Sequence, residues 1–281
     1  MSVSPPLDSA WVALSLIPHL GARTLERLLA RFGTPRAALT APAAELRRVD
    51  GIGPALSAAI TAVDLARVEA DIARWQASGV TVLTRADERY PLPLTLLPDP
   101  PPTLFVRGSL SQALWADAVA IVGTRQPSAT ALRAAQAFAA RYAGSGYTVV
   151  SGLALGVDAA AHQAALQQVN GRTAAVLGSG VLNVYPAAHH PLAEAVLERG
   201  GVLLCECSPD DTASTRHLVA RNRLITGLAR FVLLIESGAD GGAMHAVRFA
   251  RQQSRPLYVC DLPASGNQQA IREGVDRVLR L

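Results

Sequence analysis

From residue 117 onward, short apolar runs alternate with segments of helical periodicity. The apolar runs contain no charged residue, and they are 118–122, 148–150, 173–177, 202–205, 231–235 and 257–259. The helical segments among them are 129–142, 159–168, 191–199 and 243–253. Strands that are apolar on both faces are typical of a parallel sheet covered by helices on both sides. The pattern therefore predicts an α/β domain with a doubly wound, Rossmann-like parallel sheet over residues 117–281.

Residues 1–82 show a different, all-helical pattern. Leucines between positions 20 and 29 recur at helical spacing, and a second apolar run lies between positions 56 and 63. The turn Gly51-Ile-Gly53 before the second run looks like that of a helix-hairpin-helix element, which leaves backbone N–H groups free to bind a phosphate. We therefore expect a small all-α domain in which Gly51 and Gly53 are secondary DNA contacts. The alternative is that this domain docks protein.

Residues 83–116 are rich in proline, with Pro91, Pro93, Pro98 and three consecutive prolines at 100–102. Proline fixes its own backbone and biases the preceding residue toward extended conformations. The leucines between these prolines favour a segment that packs down on the protein. The sequence thus predicts three parts: a helical domain at 1–82, a connector at 83–116 packed on the next domain, and the α/β domain at 117–281.

The basic residues of this chain are all arginine, 26 in number, and there is no lysine. This excludes Walker-type phosphate loops and Schiff-base enzymes, which need a lysine. The net charge of +4 permits an anionic partner without identifying one. Three cysteines are too few for a disulfide-based fold. Because Cys205 and Cys207 have no Cys or His pair at zinc-like spacing, we expect no metal site.

The N-terminus and the longest uncharged stretch give information about the cellular location of the protein. Pro5, Pro6 and Asp8 stand where a signal peptide would need a basic segment. The uncharged stretch at 173–193 is broken by glycine and proline, which argues against a membrane-spanning helix. We therefore expect a cytoplasmic protein without membrane association.

Four predicted strands run into loops rich in glycine and hydroxyl groups, at 123–128, 151–158, 178–180 and 236–242. In doubly wound sheets, ligands bind beyond the carboxyl ends of the strands. Loops that precede helices offer backbone N–H groups and a positive dipole end to an anion. None of the four has the Gly-x-Gly-x-x-Gly fingerprint, so no cofactor is expected. Together they favour a ligand with several phosphates; the alternative is that the glycines only let helices pack closely on strands.

Arginines supply the complementary charge. Arg125 lies directly after the first apolar run of the α/β domain. The run Arg221-Asn222-Arg223 has the residue types that fork phosphates and read base edges. These residues predict a phosphate-binding surface at the carboxyl edge of the sheet.

Catalytic groups are harder to find. Ser151, Asp158 and His162 have the residue types of a hydrolytic triad, but Asp158 and His162 are spaced i, i+4, which is typical of a structural hydrogen bond. Ser151 also lacks the Gly-x-Ser-x-Gly elbow. We therefore predict no catalytic residue.

Six short motifs follow one another along residues 84–281. They are Ile121-Val-Gly-Thr-Arg125, Ser151-Gly-Leu-Ala-Leu-Gly-Val-Asp158-Ala-Ala-Ala-His162, Ala175-Val-Leu-Gly-Ser-Gly180, Tyr185-Pro186, Arg221-Asn-Arg223 and Glu236-Ser-Gly238. In this order they resemble the DNA-processing protein A family (DprA/Smf). The helical front is similar to the sterile-alpha-motif-like (SAM-like) domain of that family.

The resemblance implies an extended Rossmann fold that binds single-stranded DNA, protects it and helps to load the RecA recombinase in natural transformation and recombination. It also implies a homodimer, formed through apolar surface around residues 224–228 or 247–249, and a protein that is not an enzyme. In the family, the arginine at the position of Arg125 and the loop at the position of Gly178, Ser179 and Gly180 contribute to a basic DNA pocket. The DNA contacts predicted around this pocket are Ser128, Ser151, Gly152, Arg221, Asn222 and Arg223.

The sequence departs from the family pattern at several positions. Leu218 and Val219 follow His217 where many members have an aromatic residue and a proline, which removes a ring on which a base can stack. Leu155 and Ala187 stand where a basic residue is frequent. These departures predict weaker DNA affinity, or affinity borrowed from the front domain. The alternative function is a nucleotide hydrolase of the lysine-decarboxylase-like Rossmann group, although its Pro-Gly-Gly-x-Gly-Thr run is missing here.

Overall fold

The computed structural model describes residues 7–280, and the chain divides into two compact units. The first unit comprises Met1–Tyr90 and Pro98–Phe105, and the second comprises Pro91–Leu97 and Val106–Leu281. Residues of the predicted connector at 83–116 therefore belong to both units.

The sequence predicted neither a membrane-spanning helix nor a signal peptide, and the structure bears only on the first. No helix within residues 7–280 combines the length and the apolar character that a bilayer crossing needs. Pro5 and Pro6, on which the expected lack of a signal peptide rests, lie outside the described residues.

The first unit is mainly helical. Its helices are α1 (Ser9–Ser15), α2 (Ala22–Phe32), α3 (Pro35–Thr40), α4 (Ala43–Leu46), α5 (Pro54–Thr61) and α6 (Leu65–Ala77). Strand β1 (Val80–Thr84) follows them, and strand β2 (Thr103–Gly108) begins in this unit.

The helix starts of the first unit follow local sequence signals. The side chains of Asp8, Thr34 and Asp64 accept backbone N–H bonds at the starts of α1, α3 and α6. Inside, Leu25 and Leu28 of the predicted leucine run are buried in the core of this unit. The periodicity thus located the buried face of α2, while the helix-hairpin-helix character of the domain stays a prediction.

The second unit alternates strands and helices. It contains α7 (Leu92–Thr95), α8 (Ala113–Ala116), β3 (Ala118–Val122), α9 (Ala129–Gly144), β4 (Thr148–Ser151), α10 (Val157–Leu166), β5 (Arg172–Val176), α11 (His190–Glu198), β6 (Val202–Cys205), α12 (Thr215–Ala220), α13 (Asn222–Leu228), β7 (Phe231–Leu234), α14 (Ala243–Gln252), β8 (Leu257–Cys260), α15 (Ser265–Arg272) and β9 (Arg277–Leu279). A short 3-10 turn at Ala187–His189 precedes α11.

The strands β3 to β9 lie side by side in the order β6-β5-β4-β3-β7-β8-β9. All their neighbour pairs are parallel; for example, Val119 of β3 pairs with Val149 of β4 on one side and with Phe231 of β7 on the other. The predicted doubly wound α/β sheet is confirmed. Because the strand order reverses at β3, the carboxyl end of β3 is the switch point where such sheets bind ligands.

Helices α9 and α10 pack together through small residues. Ala135 and Ala139 of α9 and Ala161 and Ala165 of α10 are buried in one cluster with strand residues such as Ile121. Alanines let two helices approach closely without leaving cavities. This packing fixes the loops that run from β3 to α9 and from β4 to α10.

Most of the apolar surface expected to form a dimer around residues 224–228 or 247–249 is buried, and Phe249 is half-buried. Leu224, Ile225, Leu228 and Val247 are at most 1% exposed, because their side chains pack inside their own chain. These four side chains are therefore not available to a partner, and the homodimer itself stays a prediction.

Candidate functional site

A cavity of about 440 Å³ opens at the carboxyl end of β3, at the switch point of the sheet. Its walls come from the loop after β3, the start of α10, helices α12 and α13, and the start of α14. The lining residues are Val122, Gly123, Thr124, Arg125, Ala154, Asp158, Thr215, Leu218, Val219, Arg221, Asn222, Ile225, Gly242, Ala243 and His245.

The loop after β3 is held in place by close backbone packing. A Cβ on Gly123 would lie 2.5 Å from the side chain of Val157, and one on Gly156 would lie 2.5 Å from the carbonyl oxygen of Thr124. Gly156 also has a φ of +79°, which a residue with a side chain rarely adopts. The backbone N–H of Val157 donates to the same Thr124 oxygen at 3.2 Å. The glycines at these two positions therefore fix the path of the chain that carries Arg125.

Arg125 is the exposed cation of the cavity. Its side chain has no hydrogen bond or ion pair with any residue between positions 7 and 280. Its charge is close enough to that of Arg221 to lower the pKa of the latter. Arg125 is therefore held near other positive charge with its guanidinium available to a ligand.

Ser128, the last residue of the same loop, is exposed and caps α9. Its Oγ accepts from the backbone N–H of Ala131 at 3.1 Å, and its own N–H donates to the Glu236 carboxylate at 2.7 Å. Glu236 thus joins the loops after β3 and β7. The Ser128 hydroxyl keeps its proton to donate, and its contact with DNA stays a prediction.

Arg221 also lines the cavity, but its guanidinium is committed to the protein interior. The residue is 5% exposed, and its Nη1 donates to the carbonyl oxygens of Gly152 and, at 2.8 Å, of Val176. Burial lowers the pKa of Arg221 to about 10, which leaves it charged at neutral pH. We interpret Arg221 as a positioning residue that ties α13 to the ends of β4 and β5.

Asp158 is the buried counter-charge of Arg221, with the two charged groups 3.9 Å apart. Its carboxylate also accepts the backbone N–H groups of Gly152 at 3.2 Å and Ala154 at 3.3 Å. Burial raises the pKa of Asp158 despite this arginine and these donors. The carboxyl group therefore organises the loop after β4.

The side chains of Ser151, Asp158 and His162 do not form a catalytic triad. The Ser151 hydroxyl donates to the carbonyl oxygen of Ile121 at 2.7 Å, and His162 Nδ1 lies 2.7 Å from the Thr173 hydroxyl. Burial, followed by the charge of Arg221, lowers the pKa of His162 to about 3. Each group is therefore used by the core, and Ser151 is fully buried outside the cavity lining.

The predicted loop at Gly178, Ser179 and Gly180 is buried and does not line the cavity. A Cβ on Gly178 would lie 2.7 Å from the backbone of Leu218, and the N–H of Gly180 donates to the carbonyl oxygen of Asp211 at 2.8 Å. These two glycines thus serve close packing against neighbouring segments. Their contact with DNA, like that of Gly152, stays a prediction.

Asn222 and Arg223 diverge, although they are adjacent in sequence. Asn222 lines the cavity at the start of α13. Arg223 points to the Glu206 carboxylate, its side chain is 12% exposed, and it is absent from the cavity lining. The structure therefore brings Asn222 together with Arg125 and Arg221, and it places Arg223 outside this group.

The start of α14 belongs to the site, although the sequence predicted no site residue there. Gly242 and Ala243 line the cavity, so the positive end of this ten-residue helix faces it. His245, one turn further, also lines the cavity, and burial and the nearby Arg248 lower its pKa. The glycine loop before α14 was the available signal, whereas nothing in the sequence singled out His245.

The Gly51–Gly53 turn lies in the first unit. Gly51 and Gly53 are exposed, Ile52 is buried, and Gly51 has a φ of +91°. Gly53 precedes α5 without a side-chain cap, and Pro54 at the first helical position has no N–H to offer. The geometry is that of an exposed turn at a helix start, and its DNA contact stays a prediction.

The chain matches one protein family over most of its length. Residues 81–280 match the family model of DNA recombination-mediator protein A. Protein Smf of Escherichia coli is 39% identical over 176 residues, which are 63% of this chain and 46% of that protein. Protein Smf of Synechocystis is 34% identical over 264 residues, 92% of this chain and 65% of that protein. The chain thus spans less than two thirds of the length of these relatives.

Solved structures of two relatives are similar to this chain. DNA processing protein A from Streptococcus pneumoniae has a TM-score of 0.79 at 24% identity, over 97% of this chain and 95% of that one, which shows a common fold. DNA processing protein A from Helicobacter pylori has a TM-score of 0.64 at 27% identity, over 70% of this chain and 90% of that one. The latter structure is described as revealing a single-stranded DNA binding mode of that protein. Because the family match alone covers residues 81–280, the chain belongs to the DNA recombination-mediator protein A family, as its motifs predicted.

Proposed function

We propose that this protein binds single-stranded DNA, with the phosphate backbone at the cavity beside β3. The observation that carries the proposal is Arg125, an exposed cation without a protein partner among residues 7–280, held at the switch point of the sheet. Guanidinium groups bind phosphate through paired N–H donors. The start of α14 adds a positive dipole end to the same cavity.

Arg221 and Asn222 complete the proposed surface in different ways. The buried charge of Arg221 adds positive potential behind the cavity, partly offset by Asp158. Asn222 offers amide donors and an acceptor that suit a base edge or a phosphate. With Leu218 and Val219 in the wall, the residues that line the cavity include no Phe, Tyr or Trp, and the imidazole of His245 is the one aromatic ring among them. We therefore expect backbone contacts to contribute more to affinity than base stacking, and binding to depend little on sequence.

The wider role that we propose follows from the family. The relative from Helicobacter pylori is described as a binder of single-stranded DNA. We propose that this chain likewise protects single strands and helps to load a RecA recombinase in transformation or recombination, as a cytoplasmic homodimer. The Gly51–Gly53 turn would be a secondary DNA contact in the first unit. We propose no catalytic step, since Ser151 and His162 are hydrogen-bonded within the core.

The experiment is fluorescence anisotropy of a labelled oligo-dT across a salt series, with unlabelled duplex DNA as competitor. We expect binding that weakens steeply with salt, because phosphate contacts release counterions. We also expect unlabelled duplex to compete poorly if the site is one for single strands. A parallel assay follows the hydrolysis of nucleotides by the same preparation. Nucleotide turnover without DNA binding at low salt would overturn the proposal and favour the hydrolase alternative.

A further inference from the structure

Three side chains with metal-binding atoms meet beside α12, outside the cavity. One ligand atom from each of Cys207, Asp211 and His217 lies within 4.8 Å of the other two. Three atoms no further apart than 4.8 Å share a central point within about 2.8 Å of each, close to the 2.0–2.3 Å of bonds to zinc. At the largest separation, a shift of about 0.5–0.8 Å in each side chain would bring all three into bonding distance.

The surroundings of the three side chains favour a cation. Cys207 is 8% exposed, and Asp211 and His217 are half-buried. The Nδ1 atom of His217 is buried and has no hydrogen-bond partner within residues 7–280. Buried polar atoms are normally paired, so an unpaired ring nitrogen in one of the three clustered residues calls for an explanation. A bound metal ion would supply the missing partner.

The Asp211 carboxylate is already oriented for such a role. Its Oδ2 accepts the backbone N–H of Ser208 at 3.2 Å. This hydrogen bond closes the short turn that connects Cys207 to Asp211. Metal-binding carboxylates are typically held by hydrogen bonds of this kind. The turn therefore presents Cys207 and Asp211 on the same side, toward His217 on α12.

We propose that Cys207, Asp211 and His217 form a binding site for a divalent cation of the zinc class. A thiolate, an imidazole and a carboxylate are the ligands that Zn²⁺ takes, whereas Mg²⁺ and Ca²⁺ prefer oxygen alone. Three protein ligands leave a fourth position for water or another donor. Sequence spacing concealed the site, because Cys207 and His217 are ten positions apart and their approach depends on the turn at 208–211.

The site would stabilise one wall of the cavity. Helix α12 carries His217 and also Leu218 and Val219, which line the cavity. The carbonyl oxygen of Asp211 accepts the N–H of Gly180, so the same turn is joined to the loop after β5. A metal ion would thus fasten α12 to two loops at the edge of the sheet. The proposal does not depend on DNA binding and is tested without DNA.

The test is titration of the tag-free, metal-depleted chain with Co²⁺ as a spectroscopic probe for Zn²⁺. We expect about one Co²⁺ per chain, with the intense absorption of a thiolate–cobalt bond and the visible bands of four-coordinate geometry, both bleached by Zn²⁺. Cys207→Ser should abolish the thiolate absorption, and His217→Ala should weaken affinity more than about a hundredfold, beyond the loss seen when residues that only support a ligand are changed.

Cys260→Ser is the matched control, since Cys260 is another buried free cysteine in the second unit and should leave the spectrum unchanged. Asp211→Asn, at a half-buried position, provides a mild second variant, and circular dichroism reports whether each variant is folded. Absence of the thiolate absorption in the folded parent chain would overturn the proposal. So would an unchanged spectrum in folded Cys207→Ser.

Discussion

The loop after β3 and the junction of α12 with α13 each bring an arginine to the same cavity, but they use its charge differently. Arg125 is exposed and has no ion pair within residues 7–280, whereas Arg221 is 5% exposed and donates to two carbonyl oxygens. One charge is available to a ligand, and the other holds the walls together. The comparison teaches that two arginines that line one cavity need not share a role.

The largest expected effect is on stability, at Arg221. Arg221→Met leaves Asp158 buried without its cation and the carbonyl oxygens of Gly152 and Val176 without a donor. Removing one partner of a buried ion pair typically destabilises by about 3–5 kcal/mol. Urea unfolding followed by circular dichroism measures the change. Arg125→Met, which removes an exposed arginine from the same cavity, should change the free energy of unfolding by less than about 0.5 kcal/mol. Equal losses in the two variants would break the comparison.

The second largest expected effect on stability comes from a substitution of Gly152, which contacts the Arg221 guanidinium. A Cβ on Gly152 would lie 2.5 Å from the Arg221 guanidinium, which cannot move away without losing its carbonyl partners. Gly152→Ala should therefore destabilise the protein by about 1–3 kcal/mol, as overpacking does. Gly242→Ala is the control, because a Cβ there meets nothing within 4 Å. Thermal melts of both variants test this, and an unaffected Gly152→Ala would show that Arg221 has room to rearrange.

The burial of His162, with the charge of Arg221 nearby, is testable through the pH dependence of stability. Burial and Arg221 lower the pKa of His162 to about 3, so the folded protein keeps this ring neutral where the unfolded chain protonates it below about pH 6.5. Stability from His162 is therefore present above pH 6.5 and is lost as the pH falls toward 3. Between pH 7 and pH 5 the loss amounts to about 2 kcal/mol. His162→Gln should remove this part of the pH dependence, as measured by urea unfolding at both pH values; an unchanged slope would contradict the assignment.

The strands were predictable because a sheet buried on both faces excludes charge. The runs at 118–122 and 202–205 coincide with β3 and β6 to the residue. The edge strand β9 was not predicted, because Arg277–Leu279 is short, contains a charged residue and is largely exposed. Strand β2 was not predicted, because it follows a run of prolines for which the sequence predicted a connector.

Site residues that directly follow a strand could be predicted from the sequence. Site residues whose position depends on hydrogen-bond partners far away in sequence could not. Arg125 follows β3 directly, so its place at the sheet edge follows from topology. The burial of Arg221 depends on carbonyl oxygens of residues 69 and 45 positions away, which no local pattern reveals. The grouping of Cys207 with His217, only ten positions apart, was not predicted because it depends on the turn at 208–211.

The most direct test of the account compares DNA binding by Arg125→Ala and Arg141→Ala in the oligo-dT salt series. Both variants lose one exposed arginine, and Arg141 lies in the last turn of α9, about 18 Å along the helix from its start near the loop that carries Arg125. We predict that Arg125→Ala weakens binding by at least about tenfold and reduces the salt slope by about 0.7, while Arg141→Ala changes neither. Wild-type affinity and slope in Arg125→Ala would contradict the account and move the DNA site away from this cavity.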